Sequence, residues 1–357
     1  MPASTARDLE PVRKRLAEWL PRRLPGARAL RVGPLEAPAN TGFSNDTLLF
    51  EVRFERGGQE VSQGLVARLE PGGPPVFPEY DLAFQCRILE ILGSRTEIPV
   101  PALVGLEEDP DWLGAPFYVM ERVEGRIPTD NPPYHAGGWM HDAAPAEREA
   151  IWWAGFDTLA AIHRLDWRAL GLDFVDTKAE GRTPLERQLR YYEHYLAWAT
   201  RSRRNRLAEE GLAWLREHRP AEEEPVGFCW GDARIGNMIF RDGRCVAVLD
   251  WEMATLGNPE QDLAWALFLD RHHSEGVGAA RLAGFPERDA TVARYEARTG
   301  SSVRHLHYYE VFAAFRFSVI MMRVAQGMKE LGVLPADSDF EVDNTVTRLL
   351  AKLLESS

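Results

Sequence analysis

The chain has 357 residues, of which 45% are hydrophobic and 27% are charged, the composition of a globular protein with room for two domains. Aspartate and glutamate outnumber lysine and arginine by 54 to 42, so the formal net charge is −12. This balance disfavours nucleic acid or an anionic membrane as the main partner, because both attract basic surfaces, whereas a cationic small substrate suits it.

The first third of the chain predicts a small sheet with one helix, after an amphipathic helix at the N-terminus. Two alternating strands flank a Gly-Gly turn within residues 46–70. Apolar residues at helical spacing predict a helix near 79–93, and residues 116–122 indicate another strand. We therefore expect an α+β N-terminal domain over residues 1–122.

Beyond Gly125 a long loop rich in proline and glycine leads into a mainly helical region. Helical spacing is present at about 146–164, 184–199, 202–218, 259–272, 287–299, 305–332 and 338–354. One β-rich interruption, residues 226–250, predicts a hairpin. We therefore expect a helical C-terminal domain over residues 123–357.

The cysteines and the apolar stretches of the sequence indicate the cellular compartment of the protein. Cys86, Cys229 and Cys245 form no CxxC pair and suggest reduced, buried thiols. The N-terminus has no signal-peptide pattern, and Arg316 and Arg323 interrupt the most apolar late stretch. We expect a cytoplasmic protein with no membrane partner, either a monomer or a homodimer.

The segment "CWGDARIGNMIF" and the strand end "VAVLDWE" carry the strongest chemical signal. Asp232 and Asn237 are five residues apart, the spacing of the aspartate and asparagine in a protein-kinase catalytic loop, and Asp250 follows at the end of an apolar strand. Carboxylate and amide oxygens are the ligands that Mg²⁺ prefers. The alternative is that these residues only shape turns, as aspartate and asparagine often do.

Residues 228–267, "FCWGDARIGNMIF" through "GNPEQDLAW", resemble the core of the aminoglycoside-phosphotransferase-like family of small-molecule kinases. The similarity is greatest to the branch with the kinase-like domain of acyl-CoA dehydrogenase fusion proteins. It implies a two-lobed protein-kinase-like fold, with a small antiparallel-sheet N-lobe and a large, mainly helical C-lobe. It also implies that Asp232 is the catalytic aspartate, that Asn237 and Asp250 hold Mg²⁺, and that Glu252 supports a second metal or its waters. Asp262 resembles the aspartate that braces the catalytic loop.

The resemblance extends to the nucleotide. Arg234 stands two residues after Asp232, where protein kinases place a lysine, so it is expected to contact the transferred phosphate; the alternative is an ordinary arginine paired with an acid. "NTGFSNDT" matches a phosphate-covering loop, Arg68 occupies the strand of the usual lysine, and "FYVMERVEG" resembles the hinge beside adenine. The residues implied for ATP are Thr41, Gly42, Phe43, Ser44, Asn45, Arg68, Met120, Glu121 and Val123.

The sequence departs from the family pattern at three positions. Arg68 replaces the phosphate-binding lysine, and Trp230 replaces a histidine before Gly-Asp. Gln85 stands where the glutamate that orients the lysine is expected, and Glu79, about a turn earlier, is the nearest acidic alternative. We expect an ATP- and Mg²⁺-dependent phosphotransferase whose acceptor is a hydroxyl of a small molecule, either aminoglycoside-like or a hydroxylated metabolite or acyl compound. The alternative is a nucleotide-binding pseudokinase with a regulatory or scaffolding role.

Overall fold

The computed structural model describes residues 8–38, 45–176, 179–221 and 225–356. The chain divides into two compact units, Met1–Glu124 with Gln326–Ala336, and Gly125–Ala325 with Asp337–Ser357. The sequence-based division after residue 122 leaves residues 326–336 in the second domain. The structure assigns them to the first unit, because the end of the long helix Leu306–Glu330 and the residues that follow it pack there.

The first unit contains an antiparallel sheet with the strand order β1–β2–β3–β5–β4. Its strands are β1 (Arg28–Val32), β2 (Asp46–Arg56), β3 (Gln59–Leu69), β4 (Leu103–Glu107) and β5 (Phe117–Glu121). Two helices accompany it, α1 (Leu9–Trp19) and α2 (Leu82–Arg95). The predicted hairpin is confirmed as β2 and β3, which are joined at Gly57 and Gly58; both glycines have positive φ, 61° and 80°, a backbone that glycine adopts without strain.

Alternating residues give this sheet its core. Every second side chain along β2 is buried, namely Leu48, Phe50, Val52 and Phe54, as expected for a strand with one face toward a core. Helix α1 contributes Trp19, whose ring centroid lies 5.0 Å from that of Phe117. The N-terminal unit is therefore held together by an aromatic and aliphatic cluster on one face of the sheet.

The second unit is mainly helical. Its helices are α3 (Trp139–Asp142), α4 (Pro145–His163), α5 (Trp167–Leu170), α6 (Pro184–Ala199), α7 (Arg206–Glu217), α8 (Glu260–His273), α9 (Arg288–Thr299), α10 (Leu306–Glu330) and α11 (Thr345–Glu355). Six of the seven predicted helices lie within a few residues of the observed bounds. The seventh, expected at 338–354, begins only at Thr345, because Asn344 forms a capping box with Thr347 that fixes the helix start.

Two small sheets replace the single hairpin predicted over 226–250. Strands β7 (Met238–Arg241) and β8 (Arg244–Val248) form a hairpin. Strand β6 (Gly227–Cys229) instead pairs with β9 (Thr255–Gly257), which the sequence did not indicate. A hairpin within the predicted segment is thus confirmed over Met238–Val248, but β6 finds its partner beyond it, so the segment 230–237 crosses from one small sheet to the other.

Two further sequence-based expectations concern burial. Within the described ranges, α10 is the one helix whose length and composition would allow it to cross a membrane, but most of its apolar stretch is buried inside the protein, as in many core helices. Cys86 and Cys229 are buried, Cys245 is partly buried, and all three thiols are free. Burial raises the pKa of Cys86 to about 12 and that of Cys245 to about 11, so both are protonated thiols near neutral pH.

Candidate active site

The segment 230–237, called the catalytic loop below, presents Asp232 surrounded by N–H donors. Trp265 Nε1 donates to Asp232 Oδ1 at 2.8 Å, and Asn237 Nδ2 donates to Oδ2 at 2.6 Å. Arg234 Nε lies 3.2 Å from Oδ1 and 3.3 Å from Oδ2. These donors fix the orientation of the carboxylate, which is what a positioned proton acceptor requires.

The local backbone explains why this loop can form. Gly231 has a φ of +93°, and a Cβ at this position would lie 2.0 Å from the carbonyl oxygen of Met253, so both the conformation and the space require glycine. Ile235–Asn237 form a 3₁₀ turn closed by the Asn237 N–H to Arg234 O bond of 3.0 Å. The turn brings the Asn237 side chain back to Asp232, which explains the five-residue spacing of the motif.

Asp262, in the first turn of α8, fixes the start of the catalytic loop. The backbone N–H groups of Trp230 and Gly231 donate to its two carboxylate oxygens at 2.6 and 3.0 Å. His163 Nε2 lies 3.1 Å from Oδ2, while its Nδ1 lies 2.6 Å from the Tyr295 hydroxyl. The Asp262 side chain is fully buried, so its contacts are those that the resemblance implied for a bracing aspartate.

Two residues that the sequence analysis did not connect to Asp232 support the same loop. Trp265 lies one helical turn after Asp262 on α8, so both side chains lie on the same face of the helix. Arg316 of α10 is 1% exposed; its Nη2 donates to Gly231 O at 3.1 Å, and its guanidinium lies 4.7 Å from the centroid of the Trp265 ring. From the sequence, Arg316 interrupts an apolar run and is a candidate for the wall of the acceptor pocket; in the structure it packs beneath the catalytic loop.

Arg234 joins the catalytic loop to the long loop that follows Gly125. Its Nη1 donates to Asp130 Oδ2 at 2.5 Å. Burial opposes the charged form of Arg234, but the carboxylates of Asp130, Asp232 and Asp250 outweigh it and raise its pKa. Partial desolvation raises the pKa of the Asp130 carboxyl, yet Arg234 and the nearby histidines lower it overall. In this structure Arg234 is paired with Asp130 and Asp232, and its contact with the transferred phosphate stays a prediction.

The residues expected to hold metal follow one another around the β7–β8 hairpin. Leu249 N–H donates to Asn237 O at 2.9 Å, and Trp230 Nε1 donates to the carbonyl oxygens of Leu249 and Asp250 at 2.8 and 3.1 Å. Asp250 has a φ of +56°, an uncommon backbone for a residue other than glycine and one that often marks a functional position. Glu252 is partly buried two residues further on.

This donor set fits Mg²⁺. The Asn237 amide nitrogen is turned toward Asp232, so its amide oxygen, a hard ligand of the kind that Mg²⁺ prefers, points away from that carboxylate. No group of three or more His, Cys, Asp or Glu side chains suited to a metal occurs within residues 8–38, 45–176, 179–221 and 225–356. One or two carboxylates with phosphate oxygens and water are the usual shell of Mg²⁺ at a nucleotide, so the residue types agree with the prediction.

The nucleotide residues predicted from the N-terminal half lie in the first unit. Thr41, Gly42, Phe43 and Ser44 lie outside the described residues; Asn45 is buried just before β2. Arg68 in β3 is paired in register with Thr47 and with Tyr118 of β5. Met120 and Glu121 end β5, and Val123 follows it. Gln85 accepts a hydrogen bond of 3.3 Å from the Tyr118 hydroxyl. These assignments stay predictions.

Two adjacent histidines near Asp130 make stability depend on pH. Burial, together with the neighbouring His273, lowers the pKa of His272 to about 3, and burial lowers the pKa of His273 to about 4. Both values lie below the ordinary 6.5 of an unfolded histidine, so the unfolded chain binds more protons between pH 6.5 and 4. Stability conferred by the neutral rings is complete above pH 6.5 and is lost as pH falls through this window.

We therefore expect the free energy of unfolding to fall on acidification from pH 6.5 to 4, by up to about 1.4 kcal/mol per pH unit for each histidine. The His273→Gln variant should show a shallower slope in urea titrations across this range. Replacement of His141, whose side chain is 42% exposed, by glutamine is the control and should leave the slope unchanged. Parallel slopes for wild type and His273→Gln would contradict this assignment.

Comparison with known proteins places this geometry in a family. The model of the "Phosphotransferase enzyme family" matches residues 37–297. A probable acyl-CoA dehydrogenase of Arabidopsis thaliana is 31% identical over 298 residues, which are 78% of this chain and 34% of the relative. Acyl-CoA dehydrogenase family member 11 of Gallus gallus is 32% identical over 259 residues, 70% of this chain and 30% of the relative. The chain thus spans about a third of the length of these curated relatives.

Solved structures agree with the predicted α+β, two-lobed protein-kinase-like fold. A candidate aminoglycoside phosphotransferase of Ralstonia eutropha JMP134 has a TM-score of 0.68 at 26% identity, covering 96% of this chain and 95% of that one. The aminoglycoside phosphotransferase APH(4)-Ia, in a ternary complex with ADP and hygromycin B, has a TM-score of 0.58 at 14% identity, covering 96% and 98%; this similarity concerns the fold alone. Given the family match over residues 37–297, the chain belongs to the phosphotransferase enzyme family.

Proposed function

We propose that this phosphotransferase moves the γ-phosphate of ATP, bound with Mg²⁺, to a hydroxyl group of a small molecule. The observation that carries the proposal is the arrangement of Asp232, held by three side-chain N–H donors, beside Asn237 and Asp250. Phosphoryl transfer needs a positioned aspartate, a metal held by oxygen ligands and cations near the phosphates. The catalytic loop and the β7–β8 hairpin supply these parts.

In this proposal Asp232 accepts the proton of the acceptor hydroxyl as its oxygen attacks phosphorus in line with the departing ADP oxygen. Trp265 and Asn237 hold the carboxylate in place. Asn237 and Asp250, with Glu252 in support, would hold Mg²⁺, which when bound neutralises charge on the phosphate oxygens. Arg234 supplies a further positive charge beside the reacting group.

The nucleotide-binding residues are proposed from the first unit. Asn45, with Thr41, Gly42, Phe43 and Ser44, would cover the phosphates through backbone N–H groups. Arg68 would bind phosphate oxygens in place of a lysine, since a guanidinium stays charged and can form two parallel hydrogen bonds. Met120, Glu121 and Val123 would lie along adenine. The ADP and AMP-PNP complexes of the structurally similar APH(4)-Ia support a nucleotide at this fold.

For the acceptor we propose a hydroxylated metabolite or acyl compound ahead of an aminoglycoside. The curated relatives are named acyl-CoA dehydrogenases, although this chain covers only about a third of them, whereas APH(4)-Ia binds hygromycin B. The test is ADP release with Mg²⁺ and ATP across aminoglycosides, hydroxyacyl compounds and small alcohols. Release that depends on one class names the substrate, and release with aminoglycosides alone would overturn this preference.

A nucleotide-binding pseudokinase is the second candidate. Two departures from the kinase pattern favour it: Arg68 stands at the lysine position, and the neutral Gln85 stands at the position of the charged glutamate. The carboxamide oxygen of Gln85 accepts a hydrogen bond from the Tyr118 hydroxyl. The preserved contacts among Asp232, Asn237 and Arg234 favour the enzyme. Tight nucleotide binding without turnover across the whole acceptor panel would decide for the pseudokinase.

Metal dependence gives a separate prediction. The Asp250→Asn variant keeps a residue type that tolerates positive φ but loses the charged ligand. We expect calorimetry to show MgATP affinity reduced at least roughly tenfold, since even outer ligand partners commonly contribute that much, with the affinity measured in EDTA unchanged. Equal loss of affinity with and without Mg²⁺ would contradict a metal role for Asp250.

A further inference from the structure

The Asp232 carboxylate is already occupied by donors before any acceptor binds. A carboxylate oxygen accepts about two hydrogen bonds in its plane. Asp232 has three donors: Trp265 on Oδ1, Asn237 on Oδ2, and the single Arg234 Nε–H, which is shared between both oxygens. The bonds from Trp265 and Asn237 measure 2.8 and 2.6 Å, whereas those from Arg234 measure 3.2 and 3.3 Å. A hydroxyl that delivers its proton to Asp232 therefore has to displace Arg234, the weakest of the three donors.

Asp130 is the residue that keeps Arg234 in this position. Its bond to Arg234 Nη1, at 2.5 Å, is the shortest that the guanidinium makes among the described residues. The pair packs over Gly236, where a Cβ would lie 2.4 Å from Arg234 Nη1 and 2.7 Å from Asp130 Oδ1. His273 Nε2 lies 3.7 Å from the same Oδ1. The lack of a side chain at Gly236 thus leaves the space in which the Asp130–Arg234 ion pair lies.

The loop that carries Asp130 is anchored a few residues further along. The Tyr134 hydroxyl and His135 Nε2 each lie 2.9 Å from Asp270 Oδ1 on α8, and Arg281 Nε donates to Oδ2 at 2.8 Å. The Leu282 N–H approaches His135 Nδ1 at 3.3 Å, which leaves Nε2 as the donor to Asp270. These buried contacts fix the backbone next to Asp130, although the Asp130 side chain is itself 42% exposed.

We propose that Asp130 is a positioning residue which holds Arg234 across Asp232 and so suppresses hydrolysis of ATP by water until an acceptor arrives. The inference rests on the proposed function, because it assumes that ATP is the phosphate donor. An arriving acceptor hydroxyl replaces Arg234 on Asp232, and the released guanidinium turns to the phosphate oxygens, with which it forms charge-assisted hydrogen bonds.

The suppressed reaction is the ordinary side reaction of a kinase. A water oxygen forms a bond to the γ-phosphorus, the bond from that phosphorus to the bridging oxygen of ADP breaks, and the water proton passes to Asp232 and then to solvent. The products are ADP and inorganic phosphate. With Arg234 on both carboxylate oxygens, a water molecule at Asp232 lacks the acceptor for its proton.

The test is ADP release from MgATP without any acceptor. We expect Asp130→Asn and Asp130→Ala to raise this rate about tenfold, the change expected when one charge-assisted hydrogen bond is lost, and Asp130→Glu to restore it toward wild type. The increase should vanish in the double variant Asp130→Asn/Asp232→Asn. Asp142→Asn, an identical change at an aspartate whose side chain is 79% exposed and is paired with His141, is the matched control. An acceptor-free rate in both Asp130 variants equal to that of the control overturns the inference.

A second readout does not depend on turnover. The Arg234 Nε–H signal, assigned by its loss in Arg234→Lys, should exchange with water about tenfold faster in Asp130→Asn than in wild type or Asp142→Asn; unchanged exchange overturns the positioning role. The acceptor panel tests the proposed function independently. If no acceptor is phosphorylated, the proposed function fails, whereas the hydrolysis and exchange measurements still decide the role of Asp130.

Discussion

Replacing Asp232 with asparagine is expected to lower the rate of phosphotransfer by about 10²–10⁴-fold, the usual contribution of a positioned proton acceptor. The shape of the side chain is kept, and the Trp265 bond to the remaining carbonyl oxygen can persist, so the variant should remain folded and bind MgATP. The measurement is kcat with saturating acceptor, beside calorimetry of MgATP binding.

The hairpin turn supplies the control for this prediction. Asp242 is exposed between β7 and β8 and has a φ of +52°, a backbone that asparagine also tolerates. Asp242→Asn should therefore retain wild-type turnover. An Asp232→Asn enzyme that keeps more than about a tenth of the wild-type kcat would remove Asp232 from the role of proton acceptor.

Replacing Asp262 with alanine should have the largest effect on stability. The change leaves the N–H groups of Trp230 and Gly231 without their carboxylate and removes the partner of His163 Nε2. Breaking a buried charged contact of this kind lowers the free energy of unfolding by about 3–5 kcal/mol. Because these amides begin the catalytic loop, kcat should fall as well, even at temperatures where the protein remains folded.

Urea unfolding of matched variants tests this expectation. Asp289 is 99% exposed in the first turn of α9, and Asp289→Ala should change the free energy of unfolding by roughly 0.5 kcal/mol or less, as is typical of a surface site. Equal effects of the Asp262 and Asp289 changes would show that the buried carboxylate does not brace the loop.

Local patterns account for what could be predicted from the sequence. Helical and alternating periodicity indicated most helices and the β2–β3 hairpin. The spacing of Asp232 and Asn237 indicated their contact, because one 3₁₀ turn spans it. The position of Trp265, one turn after Asp262, could also have been read from "DLAW", since residues three apart lie on one face of a helix.

Long-range contacts account for what could not be predicted. Asp130 lies 104 residues before its partner Arg234, in a loop without periodicity, and no spacing rule joins two such positions. Arg316 and Gly231 are 85 residues apart, so an arginine within an apolar helix gave no sign that it lies beneath the catalytic loop. Strand β9 has only three residues, too few for an alternating pattern to show, and it pairs with β6 across the hairpin.

The most direct test of the account is transfer of label from [γ-³²P]ATP to the acceptor panel, with Mg²⁺ and with EDTA, in wild type and in Asp232→Asn. The account predicts a labelled acceptor that appears only with Mg²⁺ and is lost in the variant. The contrary result would be that no acceptor becomes labelled although the protein binds the nucleotide tightly. That outcome would contradict the kinase assignment and leave a protein that binds nucleotide without using it.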